Sequence, residues 1–359
     1  MAKSGQHGGN VLQMAEQYGL APADITDFSA NINPLGMPPF LRDILTVHLD
    51  RLEVYPDIDY QDLHQALAQH HQLTPHNVVA GNGATELIFL WVQQQQPQHA
   101  LVVEPTFGEY RRALTLYGCE ITQYSLDEKT GFALTAQFLD ALSPEYDCLF
   151  LCTPNNPTGL IPEFELLIQI VERCEEYDIA FFIDESFIDF MPERQSLIEC
   201  LNDYPHLYIL RSLTKFYALP GLRLGYMVSA NEAVLDGMRD LREPWTINAL
   251  AATAGEYLFR DQKYVEHTHL WLTQQQEFIW QELNQFSALE CYPPSANYLF
   301  FKHKVPDSKL QEELMQYGIL IRSCANYPAL NHQYYRVAIK SHSDNLKLIA
   351  ALKEVLNHD

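Results

Sequence analysis

The chain reads as an α/β protein with a mostly parallel sheet, and three observations predict it. Short apolar runs recur along the first two thirds, each too short for a buried helix. Stretches of helical period fall between several of them, such as residues 164–177. After Trp245-Thr246-Ile247-Asn248 the pattern changes to long helices and then to short β runs.

The strand candidates, in order, are residues 78–80, 101–103, 148–152, 180–183, 208–210 and 226–228. Each is nearly continuous in apolar residues, as suits a strand covered on both faces. Leu87-Ile88-Phe89-Leu90-Trp91 opens a buried helix after the first strand. Short β runs at 298–301 and 336–339 belong to the later region. The expected organisation is an N-terminal arm over 1–40, a large domain over 41–248, and a small domain over 249–359 that the arm packs against. At 359 residues the chain exceeds one small core, which agrees with two domains.

Charge and cysteine usage narrow the function classes. With 23 Lys+Arg against 46 Asp+Glu, the net charge of −23 argues against nucleic acid or an anionic membrane as partner. No apolar stretch approaches the roughly 20 residues that span a bilayer, and the start lacks the apolar core of a secretory signal. Its glycines read as an exposed arm. The seven cysteines are scattered and show no Cys-x-x-Cys. Cys148 and Cys152 lie too far apart along one strand to share a metal. No metal site is expected, and the thiols read as reduced and cytoplasmic. The chain has no internal repeat, and Gln93-Gln94-Gln95-Gln96 is too short to count as low complexity.

The chemistry concentrates at strand ends. Lys215 closes Arg211-Ser212-Leu213-Thr214-Lys215, directly after Leu207-Tyr208-Ile209-Leu210 and eight residues before Arg223 in Gly221-Leu222-Arg223-Leu224-Gly225. That is the pattern of a lysine that forms a Schiff base with pyridoxal 5'-phosphate, with Ser212 and Arg223 on the cofactor phosphate. The cofactor is an electron sink only while its ring nitrogen stays protonated, which needs a carboxylate beside it. Asp184, ending Ile179-Ala180-Phe181-Phe182-Ile183, is the candidate, and the pyridinium offsets the cost of burying it. The competing reading of Asp184 is a helix cap.

Asn156, in Thr153-Pro154-Asn155-Asn156-Pro157-Thr158-Gly159, offers an amide to the cofactor phenolate oxygen. The same composition also makes a plain turn. Both strands are expected to end on one sheet edge, where ligands bind in open α/β folds. Gly83, Ala84 and Thr85, in Gly81-Asn82-Gly83-Ala84-Thr85-Glu86, are candidates for a phosphate cradle at a helix start. Phe107, in Glu104-Pro105-Thr106-Phe107-Gly108-Glu109-Tyr110, would stack on the pyridine ring or fill core.

With these motifs in this order, the chain resembles the fold-type I pyridoxal-phosphate family, histidinol-phosphate aminotransferase-like branch, from about residue 31 to 339. The resemblance implies a large domain with a mostly parallel seven-stranded sheet, a smaller α+β C-terminal domain and an N-terminal arm. It also implies a homodimer in which Tyr55, in Val54-Tyr55-Pro56-Asp57, crosses to the partner's cofactor phosphate. Arg336, in Tyr334-Tyr335-Arg336-Val337-Ala338, would grip a substrate anion with Asn297 and Arg322 close by.

Three features depart from the aminotransferase pattern. Phe187 stands three residues after Asp184, where a tyrosine is usual. His7-Gly8-Gly9-Asn10 opens the chain, and Ile321-Arg322-Ser323-Cys324-Ala325-Asn326-Tyr327-Pro328 precedes the Arg336 segment. These are similar to the L-threonine O-3-phosphate decarboxylase family of cobalamin biosynthesis. That resemblance implies loss of CO2 to give (R)-1-amino-2-propanol O-2-phosphate, with His7, Asn31, Asn156, Arg322 and Arg336 on the substrate.

An acidic surface repels a phosphorylated substrate, so local cations must gather it, and Lys3, His7, Arg322 and Arg336 are the pool. The alternatives are an aminotransferase for histidinol phosphate, with Lys215 as the base, and a cofactor-binding regulator without turnover. No helix-turn-helix segment precedes Asn31 to support the regulator. Tyr327 lines the site or packs beside it. His64, His70, His71 and His76 read as surface or capping residues.

Overall fold

The computed structural model describes residues 7–193 and 195–356, so Lys3 lies outside the described residues. The chain begins with α1 (Val11–Tyr18), β1 (Thr26–Asp27), α2 (Pro39–Val47) and α3 (Gln61–His70). Seven strands then build one sheet: β2 (Val78–Gly81), β3 (His99–Glu104), β4 (Glu120–Ser125), β5 (Cys148–Cys152), β6 (Ala180–Asp184), β7 (Leu207–Ser212) and β8 (Gly225–Ser229). Helices α4 (Ala84–Gln95), α5 (Glu109–Leu116) and α6 (Phe164–Glu176) run between them, and α7 (Glu232–Leu241) and α8 (Ala249–Tyr257) follow.

The strand order is β2-β8-β7-β6-β5-β3-β4, and β8 runs against both of its neighbours while the others are parallel. Alternation of side chains explains why such apolar strands are needed. Leu149, Leu151, Phe181, Ile183 and Ile209 enter one core, whereas Phe150, Phe182, Tyr208 and Leu210 enter the core on the other face. In that second core Trp91 of α4 meets the rings of Phe150, Phe182 and Tyr208 edge-on at 5.3–5.5 Å.

The edge strand β4 is absent from the sequence expectation. Its Glu-Ile-Thr-Gln-Tyr-Ser has no apolar run, because it pairs only with β3 and keeps much of its surface in solvent.

The remaining elements are α9 (Gln262–Leu283), β9 (Leu289–Cys291), β10 (Tyr298–His303), α10 (Leu310–Met315), β11 (Ile319–Leu320), β12 (Arg322–Ser323), β13 (Tyr334–Ala338) and α11 (His342–Leu356). An antiparallel sheet of order β12-β13-β10-β9 packs on α9 and α11 through Leu299, Phe301, Val337, Ile279, Leu283, Leu348 and Leu352. The N-terminal segment joins this region: β1 pairs with β11, and α1 sets Met14 and Ala15 against Met315 and Leu320. Helix α8 instead turns Ala251, Ala252 and Ala254 into the larger core.

One sequence expectation is corrected here. His64 is a core residue: its Nε2 accepts from Ala80 N–H at 3.0 Å and its Nδ1 bonds the Asp59 carbonyl at 2.9 Å. Burial pulls the ring down to about 4, so it stays neutral. His71 likewise is engaged, meeting the Tyr226 hydroxyl at 2.6 Å.

Candidate active site

Strands β2, β3, β5, β6 and β7 end at one edge of the large sheet, the ligand edge of an open α/β fold. The register aligns Cys152 with Asp184 and Asp184 with Leu210, so the loops after β5, β6 and β7 leave at one level. They open onto a cavity of about 770 Å³. Ala84, Thr85, Phe107, Asn156, Asp184, Lys215 and Arg223 line it from the large-sheet side, and His7, Asn31, Arg322 and Arg336 from the other.

Lys215 reaches into this space, its Nζ donating to Ser212 Oγ at 2.9 Å and lying 5.7 Å from the Phe187 ring centre. Ser212 itself is buried behind the lysine. Burial lowers the Lys215 amine to about 8, with Arg223 adding to the fall and Asp184 opposing it. Asp184 is almost fully buried at the end of β6. One of its oxygens accepts from the Tyr110 hydroxyl at 2.5 Å and the other from Ser186 N–H at 2.8 Å. Burial and the Asp184 charge push the Tyr110 phenol well above its usual range, so it stays a donor.

The start of α4 packs tightly against Arg223 and β8. Its cap, Gly83, sits at φ +82°, and a Cβ there would lie 2.5 Å from the Arg223 guanidinium. Gly225 is pressed from the opposite side, where a Cβ would meet Ala84 N at 2.5 Å. These contacts bring the first turn of α4, with its free N–H groups, and Arg223 to one spot.

Across the cavity, Arg322 of β12 and Arg336 of β13 are register partners in an antiparallel pair, so both guanidinium groups leave the same face of the small sheet. Arg336 donates to the Asn156 side-chain oxygen and, at 2.7 Å, to the Ser29 carbonyl. Arg322 donates to Asn326 at 2.7 Å and lies over the Tyr327 ring. Tyr327 OH also reaches Asn156 Oδ1 at 3.3 Å, so it belongs to the wall. Asn31 is buried at the cavity with neither amide atom hydrogen-bonded among the described residues, and Arg336 Nε and both amide atoms of Asn297 are likewise unpartnered.

Two findings were not anticipated from the sequence. Glu109 and Arg112 line the cavity beside His7, and Tyr110 anchors Asp184. Next to Phe107 these residues look like an ordinary helix start, so nothing local marked them. Tyr55 stands apart: it is 78% exposed, rests on Trp245 at 4.6 Å between ring centres, and is not on its own chain's cavity.

A model of the family described as aminotransferase class I and II matches residues 23–352. The chain belongs to that family. It is 50% identical to threonine-phosphate decarboxylase of Salmonella typhimurium over 350 residues, 98% of this chain and 96% of that one. It is 31% identical to the adenosylcobalamin biosynthesis bifunctional protein CobDQ of Leptospira interrogans, covering 98% of this chain and 41% of the relative. Among solved structures, the histidinol-phosphate aminotransferase of Clostridium acetobutylicum superposes with a TM-score of 0.87 at 30% identity, over 92% of this chain and 99% of that one.

As in the rest of this aminotransferase family, the cofactor is pyridoxal phosphate. The residues fit it: a reachable amine of lowered basicity, a buried carboxylate held by two donors, and a helix start with the Arg223 guanidinium against Gly83. Among the described residues no cluster of three or more His, Cys, Asp or Glu could hold a metal ion. No described helix is long and apolar enough to cross a membrane.

Proposed function

We propose that this enzyme decarboxylates L-threonine O-3-phosphate to (R)-1-amino-2-propanol O-2-phosphate and CO2, the step that supplies the aminopropanol linker in cobalamin biosynthesis. The observation that carries the reading is the pairing of Arg322 with Arg336 on one face of the small sheet, opposite Lys215. A short skeleton bearing both a phosphate and a carboxylate needs two anion sites close together, and adjacent guanidinium forks provide them. Near-complete coverage at 50% identity to a threonine-phosphate decarboxylase supports the same substrate.

Bound pyridoxal phosphate supplies the electron sink that accepts the pair released when the Cα–carboxylate bond breaks. The protein's own part is to orient. Arg336, fixed by Asn156 and the Ser29 carbonyl, and Arg322, fixed by Asn326, hold the two anions. Asn31 brings an unpaired amide to the same side. Ser212, Arg223, Gly83, Ala84 and Thr85 would hold the cofactor phosphate, Phe107 would lie against the ring, and Asp184 would keep its nitrogen protonated. Lys215 Nζ, steadied by Ser212, delivers the proton that replaces the carboxylate on Cα. Turnover in D2O should therefore place one deuterium on the amino-bearing carbon of the product. A product without deuterium there would contradict protonation at Cα.

The reading extends to a cytoplasmic homodimer. Tyr55 lies in an exposed apolar strip with Val47, Leu49, Leu52, Val54 and Ile58, and in the homodimer it would reach the second copy's cofactor phosphate. All seven cysteines are free thiols, as a reducing compartment requires.

A further inference from the structure

Glu109 poses a problem for any site that collects anions. Its side chain is only 6% exposed, yet it faces the cavity, where a carboxylate would repel the substrate. Its two oxygens are separately occupied: one meets His7 Nε2 at 2.8 Å, the other accepts from Arg112 Nη1 at 2.8 Å. The bond to His7, with Arg112 behind it, keeps the Glu109 carboxyl below the usual range despite its burial, so it stays ionised.

The segment that carries His7 is fixed at two further points. Gly9 N–H donates to Ser29 Oγ at 2.8 Å, and Ser29 in turn donates to Asp27 at 2.6 Å. Gly8 passes so close to the Ser29 carbonyl that a Cβ would sit 2.2 Å from its oxygen. His7 therefore arrives at the cavity mouth with its ring edge aimed at Glu109 and its face tilted toward Phe107, 5.8 Å between centres. It also borders a side cavity of about 180 Å³ whose other wall includes Arg322.

We propose that Glu109 is a positioning residue for substrate selection: braced by Arg112, it holds His7 beside Arg322, where the imidazole meets the substrate phosphate. This rests on the reading above, in which His7 is a phosphate ligand. Glu109 itself touches neither substrate nor cofactor. A histidine at 54% side-chain exposure has many orientations open to it, and a charged bond to a buried, fixed carboxylate removes most of them.

The test is binding of O-phosphoethanolamine, which keeps the amine and phosphate and lacks the carboxylate, compared with binding of ethanolamine. Holoenzyme is titrated calorimetrically for the parent, Glu109→Gln, His7→Ala and the double variant. Glu109→Gln and His7→Ala should each weaken the phosphate ester by about tenfold, the scale of one charged hydrogen bond, and leave ethanolamine unchanged. The double variant should bind no worse than His7→Ala alone, because the glutamate acts through the histidine.

If His7→Ala weakens the ester but Glu109→Gln does not, the positioning role is overturned and the substrate reading stands. If the two losses add, Glu109 acts structurally and the proposal fails. If neither variant affects the ester, the phosphate does not meet His7, and the reading beneath the proposal falls with it. Arg112→Gln, at a half-exposed side chain, repeats the test from the other oxygen should Glu109→Gln not fold. A smaller loss confined to the ester supports the proposal, and no loss overturns it.

Discussion

Lys215 is where the local environment and the chemistry meet most directly. The neutral amine is the form that attacks a carbonyl, and burial makes it available at lower pH than an exposed lysine would allow. The sign follows from the charge: removing water disfavours the ammonium, so deprotonation comes earlier, near pH 8 rather than 10.5. Reloading of cofactor-stripped protein should accelerate with pH about a midpoint near 8, followed by the visible absorbance of the bound cofactor. A midpoint in the ordinary lysine range would contradict the burial argument. Borohydride should fix the cofactor to the Lys215 peptide alone, and Lys215→Ala should cost roughly 1,000-fold or more in turnover.

The sequence made Lys215 legible because a strand-like run, a spaced arginine and upstream Asn156 and Asp184 recur together. It did not reveal that Arg336 would bond Asn156, because those residues are 180 positions apart and meet only through the fold.

At the level of elements, apolar runs marked β5 to their ends and β2, β3, β6, β7 and β8 to within two residues, since each is covered on both faces. Strand β4 escaped because much of its surface meets solvent, so its polar side chains leave no continuous run. The junction of β2, β8 and α4 was visible only as glycines. What those glycines do is geometric, and two substitutions separate their roles. Gly225→Ala drives a Cβ against the Ala84 backbone, which cannot move aside, so it should destabilise the fold by about 1–3 kcal/mol in a thermal melt. Gly83→Ala meets the movable end of Arg223 and a φ of +82°, so it should weaken cofactor retention about tenfold with a smaller change in melting temperature. Equal effects on stability from both would argue against a cradle at Gly83.

For the whole molecule, the acidic surface and the cationic cavity play opposite parts. A net charge of −23 repels a phosphate ester at long range, whereas Arg322, Arg336 and His7 line the cavity and, in the proposed reading, would hold the ester at short range. The apolar strip around Tyr55 is exposed on the single chain. If each cofactor phosphate borrows Tyr55 from a second copy, mixing Lys215→Ala protein with an impaired Tyr55→Ala variant should restore up to about a quarter of full activity, since random exchange gives half heterodimers with one intact site each. No recovery after verified subunit exchange would assign the whole site to a single chain.

In the proposed reading the paired arginines and Lys215 serve loss of CO2 rather than exchange of the amino group. Purified protein loaded with pyridoxal phosphate and given L-threonine O-3-phosphate alone tests it most directly, with released CO2 and the amine product both quantified. CO2 and 1-amino-2-propanol O-2-phosphate should appear in equal amounts over many turnovers, with no 2-oxo acid present. Turnover that requires a 2-oxo acid acceptor and yields a keto product without CO2 would contradict that reading.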